Sequence, residues 1–153
     1  MGHLTREEPI RAQSVTLTLL RVAAGAAFFC HGAQKLLGWF GGFGPGGGHA
    51  EYLSRFGAAG VIEVVTGACI VLGLFTRLLA FIASGEMAVA YFWVHVGMSG
   101  TLWWWRNNGE APLLYCFIWL LFAAHGPGPY SLDAVRTRRA AASPDPLNGP
   151  PGR

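Results

Sequence analysis

The chain has 153 residues, of which 52% are hydrophobic and 12% charged, and its 11 Lys and Arg against 8 Asp and Glu give a formal net charge of +3. Charged residues make up about a quarter of an ordinary globular protein, so this chain carries too few to wet the surface of a soluble domain. The basic excess lies in the terminal segments and is not interleaved with aromatic residues, which argues against nucleic acid as a partner and suits membrane topology.

A helix rises about 1.5 Å per residue and the hydrocarbon layer is about 30 Å thick, so about 20 mostly apolar residues make a span. The residues up to Ser14 are polar, and no small-residue cleavage site follows a short apolar core. The first apolar run, Val15 to Phe40, is therefore expected as a retained span. It carries Arg21, His31 and Lys35. The glycine-rich stretch from Gly41 to Gly48 is expected to be irregular, and His49 to Phe56 to form a short interfacial helix. A second span is expected from Ala58 to Phe75 with Glu63 inside it, and a third from after Arg77 to Val96 with Glu86 and His95. The fourth, Ala111 to Ala124, is short. Asn108 as N-cap and Pro112 in the first turn would start it, and the Gly126-Pro127-Gly128-Pro129 run would stop it. These elements predict an all-α integral membrane four-helix bundle. It divides into an N-terminal segment 1–14, a transmembrane domain 15–133, and a basic then Pro-rich tail 134–153 expected to be disordered.

Orientation follows from Lys and Arg in the short flanks. Arg6, Arg11, Arg77, Arg136, Arg138 and Arg139 fall on one side, against Lys35, Arg55 and Arg106 on the other. The positive-inside rule then puts both termini and the Arg77 turn in the cytoplasm of a multi-pass inner-membrane protein. Trp39-Phe40 and Trp103-Trp104-Trp105 fall at the outer interface, as an aromatic belt or as a platform for a partner or a flat ring.

A charge at the bilayer centre costs at least a few kcal/mol, so the ionisable residues within these spans are expected to pair or to line a wet cavity. Helical spacing puts Arg21, His31 and Lys35 on one side of the first helix, with Arg21 about 15 Å of rise from His31. Glu63 shares a face with Gly60 and Gly67, small residues that admit a close neighbour. Depth along the spans predicts that Glu63 pairs with His31 or Lys35 and that Glu86 pairs with Arg21. His95 lies about 180° around the helix from Glu86, so the two serve one site only if the helix bends. It shares its face with Ser84, Ala88 and Tyr91. The binding or proton-relay candidates are thus His31, Lys35, Glu63, Arg21, Glu86 and His95. The alternative is that these charges only fix helix register.

No metal site is expected. There is no H-x-x-x-H, E-x-x-H or Cys/His cluster, although His95 and His125 could converge in principle. Cys30, Cys69 and Cys116 fall in separate apolar segments without C-x-x-C spacing, which fits small residues packed between helices.

Several motifs together carry a resemblance. The first span reads Arg21 to Lys35 with His31-Gly32, followed by Gly38-Trp39-Phe40-Gly41-Gly42. The second has Glu63 and Gly67 and ends Gly73-Leu74-Phe75-Thr76-Arg77. The third has Met87, Ala90 and His95; Asn107-Asn108-Gly109-Glu110 precedes the fourth; Gly126-Pro127-Gly128 and Ser131-Leu132-Asp133 follow it. From Arg21 to Asp133 the order and spacing resemble the DoxX family of four-helix bacterial membrane proteins. The family pattern maps onto Arg21, His31, Lys35, Glu63, Arg77, His95 and Glu110 as recurring features; Glu86 is outside it. The long Pro-rich tail and the Trp103 to Trp105 run depart from it.

The resemblance implies kinship with a membrane subunit of thiosulfate:quinone oxidoreductase. It also implies kinship with a mycobacterial protein in a membrane complex with superoxide dismutase and a sulfurtransferase. The expected role is therefore an accessory or quinone-proximal subunit of an oxidoreductase complex, with partners being the bilayer and a membrane protein complex or further copies of the chain. A quinone is the cofactor so implied. The sequence offers no haem motif, iron–sulfur cysteines or nucleotide loop, so electrons would come from elsewhere and catalysis would not belong to this chain alone. A proton-coupled small-solute carrier and a non-catalytic scaffold or assembly subunit are the other two readings.

Overall fold

The computed structural model describes residues 7–142, and every regular element among them is helical. Helix α1 is Glu7–Leu37 and α2 is Arg55–Leu72. Helix α3 is Thr76–Val89, continued by a π-helical stretch Ala90–Val96 and a last α-turn Gly97–Ser99. A short α4, Trp104–Asn107, precedes α5, Glu110–His125, and α6 is Leu132–Ala142. Three stretches are long and apolar enough to cross a membrane, Ile10–Leu37, Arg55–Leu72 and Thr76–Ser99; α5 is apolar but shorter.

The helices form two antiparallel hairpins, α1 with α2 and α3 with α5, whose members pack far more closely on each other than α2 packs on α3. Glycines set the first contact. A Cβ added at Gly32 would lie 2.6 Å from the Val64 amide nitrogen, and one at Gly67 would lie 2.7 Å from that of Phe29. Backbone therefore meets backbone at two successive levels, Gly32 between Gly60 and Val64 and Gly67 between Gly25 and Phe29, as small residues permit between helices in lipid. In the second hairpin the Ser84 hydroxyl donates to the Cys116 carbonyl at 2.9 Å. Between the hairpins a core of Phe28, Ile70, Ala80, Ala83, Trp119 and Phe122 is fully buried. The Phe28 and Trp119 rings meet edge-on at 5.2 Å.

One end of the bundle is tied by charge to backbone. Arg21, 2% exposed, donates from Nη1 to the carbonyls of Ile70 (2.5 Å) and Val71 (2.7 Å) and from Nη2 to Tyr130 (2.8 Å). Arg77 donates to the carbonyls of Ala123, Ala124 and His125. Each guanidinium thus binds carbonyls at a helix C-terminus, α2 for Arg21 and α5 for Arg77. Asp133 does the converse: its carboxylate accepts from the amides of Phe75 and Thr76, both at 2.9 Å, where α3 begins. Those bonds hold Phe75 in the left-handed region, φ 50°. We call this the Arg77 end.

Several boundaries differ from expectation. The first helix begins at Glu7, before the expected span, because nothing between Glu7 and Ser14 breaks a helix once Pro9 is in its first turn. The stretch from His49 to Phe56 is not a helix of its own: it is a turn that ends on Ser54, whose side chain accepts from the Gly57 amide and caps α2. The glycine-rich stretch carries one element of order, a bridge between Phe43 and Gly48. Asn108 does not cap α5; it closes α4 in the left-handed region at φ 55°, and Gly109 takes the N-cap position. The tail expected to be disordered from residue 134 is helical as far as Ala142, since Ser131 accepts from the Ala134 amide and Asp133 favours the first turn. The Pro-rich remainder of that expectation lies outside the described residues.

Candidate functional site

Away from the Arg77 end the two hairpins separate around a cavity of about 680 Å³. It is lined by His31 and Lys35 of α1, Glu63 of α2, Glu86 and His95 of the third helix, and Tyr115 of α5, with Phe28, Phe43, Phe56 and Trp93 supplying aromatic wall. Five of the six candidates read from the sequence therefore border one space. Arg21 does not, since it is sealed into the Arg77 end.

Lys35 and Glu63 form the pair predicted for that carboxylate. The ammonium lies 2.5 Å from both Glu63 oxygens, and the side chains are 18% and 2% exposed. The glycine contact between α1 and α2 sets this register, since Gly60 faces Lys35 and Leu36 directly. His31 turns its ring edge-on to Tyr115 at 6.1 Å, and Tyr115 stacks on Trp119 at 5.8 Å.

Glu86 does not pair with Arg21. Because α2 and α3 diverge from a common turn at Gly73, Glu63 and Glu86 stand at similar distances from it and so at similar depth. Arg21 lies beside that turn, a full half-helix away, with its donors committed to carbonyls. Glu86 makes no hydrogen bond or ion pair among the described residues, and its Oε2 is buried. An unmet buried carboxyl oxygen is costly and calls for an explanation.

His95 also departs from the straight-helix expectation. The π-helical stretch Ala90–Val96 lies between it and Glu86. One extra residue in a turn retards the face by about 100°, so the two side chains stand about a quarter-turn apart and border the same cavity. His95 Nδ1 lies 3.0 Å from the Asn107 carbonyl. A carbonyl only accepts, so Nδ1 carries the proton, and Nε2 of the neutral ring is left as an acceptor. Asn107 is buried and fixed in turn, donating to the Thr101 carbonyl at 3.0 Å and accepting from the Gly109 amide at 2.7 Å. Ser84 and Tyr91, placed on the same face as His95 by the sequence, bond to α5 and to the Leu102 carbonyl.

His95 and His125 sit at opposite ends of the bundle, and among the described residues no group of three or more His, Cys, Asp or Glu is placed to hold a metal. The three cysteines are free and half-buried. Glu110 is exposed in the first turn of α5 and is not among the residues lining the cavity; its charge complements the helix N-terminus.

Sequence reasoning missed Tyr115, Trp93 and Arg55. The Arg55 guanidinium lies over Phe56 at 5.1 Å and Trp93 at 5.3 Å, joining α2 to the π-helical stretch at the cavity rim. Tyr115 had a readable signal: a phenol inside a 16-residue apolar helix needs a polar surrounding.

A family model described as DoxX matches residues 16–96. The chain belongs to the DoxX family. A curated protein of Haemophilus influenzae, described as uncharacterized, is 42% identical over 122 residues, covering 76% of this chain and 87% of its own length. No solved structure matches the chain. The matched part of this DoxX protein holds Arg21, His31, Lys35, Glu63, Glu86 and His95; Tyr115 and Asn107 lie beyond it.

Proposed function

We propose that this DoxX protein is a four-span inner-membrane subunit of an oxidoreductase complex, and that its cavity holds a quinone headgroup near a redox partner. The observation that carries the reading is the meeting of His31, Lys35, Glu63, Glu86 and His95 in one aromatic-lined space. A volume of about 680 Å³ is within the range of small-molecule sites, and aromatic walls with few convergent polar groups are typical of them. The donor set fits a headgroup with two oxygens, since Glu86 Oε2 is without a partner among the described residues, His95 Nε2 is left over and Tyr115 lines the same space. A quinone, when bound, supplies the two-electron chemistry that the side chains lack. The chain's own contribution is to orient the ring, exclude water and hold a proton at Glu86.

The four-span topology is supported by the antiparallel packing of the short α5 along α3, which carries the chain back to the Arg77 end. The arginines at that end support a cytoplasmic location for it and for both termini, by the positive-inside rule. Extraction in mild detergent from native membranes tests the functional reading. Copurification of a quinone and a redox protein is the expected result, and recovery of neither overturns it.

A proton-coupled carrier is favoured by one observation, the unpartnered Glu86. If liposomes containing the protein moved protons or a solute and a Glu86→Gln variant did not, the carrier reading would replace the first.

A further inference from the structure

We infer that the gap between α2 and α3 is a lateral doorway from the bilayer into the cavity, held open at Gly85, and that Glu86 meets the polar head of the molecule that enters. The inference rests on the headgroup reading above and adds to it a route and a contact.

The doorway follows from how the helices share their faces. Helix α2 spends most of its packing on α1 and α3 most of its packing on α5, leaving far less between α2 and α3. Ala58 on α2 and Ile82, Gly85 and Val89 on α3 line the cavity and are exposed, Ile82 by 41% and Val89 by 54%. A cavity whose lining residues on two neighbouring helices stay this accessible is not closed between them. Its surroundings are the flanks of two helices each long and apolar enough to span, so what lies outside is hydrocarbon. Gly85 is central to the gap, and a Cβ built there meets nothing within 4 Å. That sets it apart from Gly32, Gly60 and Gly67, where no side chain fits.

The contact follows from which carboxyl is free. Both Glu63 oxygens hold the Lys35 ammonium at 2.5 Å, so this group is already satisfied. Glu86 is adjacent in sequence to Gly85, lines the same cavity, and has a buried Oε2 with no partner among the described residues. A carboxylate accepts from a hydroxyl and a protonated carboxyl donates to a carbonyl, so Glu86 serves a head in either redox state. The molecule admitted is therefore soluble in lipid and carries a small oxygen-bearing head.

The test uses the full chain in lipid nanodiscs and radiolabelled decyl-benzoquinone, with retention and exchange rates corrected by empty discs. Gly85→Leu and Ile82→Trp fill the doorway from outside, and both are expected to slow association and dissociation together by about tenfold, with Kd within about threefold, as a gate on the path does. Glu86→Ala is expected to raise Kd by about tenfold or more through faster dissociation, the loss of a hydrogen bond to a charged or acidic partner. Gly85→Leu improves helix propensity, so folding is retained, and the melting temperature of each variant verifies it. Wild-type exchange rates in both doorway variants, or a wild-type Kd in Glu86→Ala, overturn the inference while leaving the headgroup reading in place. Absence of binding to the wild-type protein overturns both. A disulfide joining two copies through Val89→Cys identifies a second copy as the occupant of the gap and overturns the doorway.

Discussion

Lys35 and Glu63 satisfy each other, the ammonium against both carboxylate oxygens, with Glu63 almost wholly buried. Removing one charge strands the other. Glu63→Gln is expected to cost about 3 kcal/mol, the lower end for a broken buried pair since Lys35 retains some access, whereas the double variant Lys35→Met with Glu63→Met recovers most of it. Thermal unfolding of the purified variants in one detergent checks both. A double variant that is stable yet inactive in cells would separate the pair's function from its role as a fastener. Glu86→Gln gives the contrasting case: with no ion pair to lose, it is expected to leave stability within about 0.5 kcal/mol of wild type. Glu63 was legible from the sequence because its glycine neighbours announced a packed face. The depth of Glu86 was not, since counting apolar residues from Arg77 does not say that the turn at Gly73 sets two spans level.

At the scale of elements, glycines and a π-helical stretch position what the side chains do. Gly67→Ala or Gly32→Ala would push α1 from α2 and is expected to cost about 1–3 kcal/mol, as overpacking does, while Gly46→Ala, open on all sides, is expected to be neutral. The same unfolding assay distinguishes them. Deleting Val94 from the Ala90–Val96 stretch would remove the extra residue, restore regular α-helix and leave His95 eight residues from Glu86, at about the same 80° and still on the cavity. Retained expression with quinone binding retained is the expected outcome, read by the nanodisc assay. The sequence made the spans plain, because about 20 apolar residues have few other solutions in lipid. It gave no sign of the π-helical stretch: Ala90 to Val96 has no proline or glycine, and its wider turn is selected by what Tyr91 and His95 reach, the carbonyls of Leu102 and Asn107. The helix after Leu132 was hidden for a related reason. Its start depends on Asp133 being drawn to the Phe75 and Thr76 amides, a contact between segments far apart in the chain.

The whole molecule has a topology that reporters can read. Fusions after Ala142 and at the N-terminus are expected to report cytoplasm, and a tag inserted at Gly46 the opposite side; any reporter found on the wrong side would overturn the four-span arrangement. The motif residues divide along the same axis. Arg21, Arg77 and Asp133 bind backbone at one end, while His31, Lys35, Glu63 and His95 gather toward the other. Depth along the spans already separated Arg21 and Arg77 from His31, Lys35 and Glu63; what the sequence did not show is that Arg21, Arg77 and Asp133 are committed to backbone. That commitment has a mechanical consequence. Three charged side chains stitch four helix ends and the Tyr130 strand of loop into a single knot, while the opposite ends are joined mainly within each hairpin. The bundle is built like a clothes-peg, with its spring at the Arg77 end and its jaws around the cavity, so a bulky guest can spread the jaws without loosening the spring.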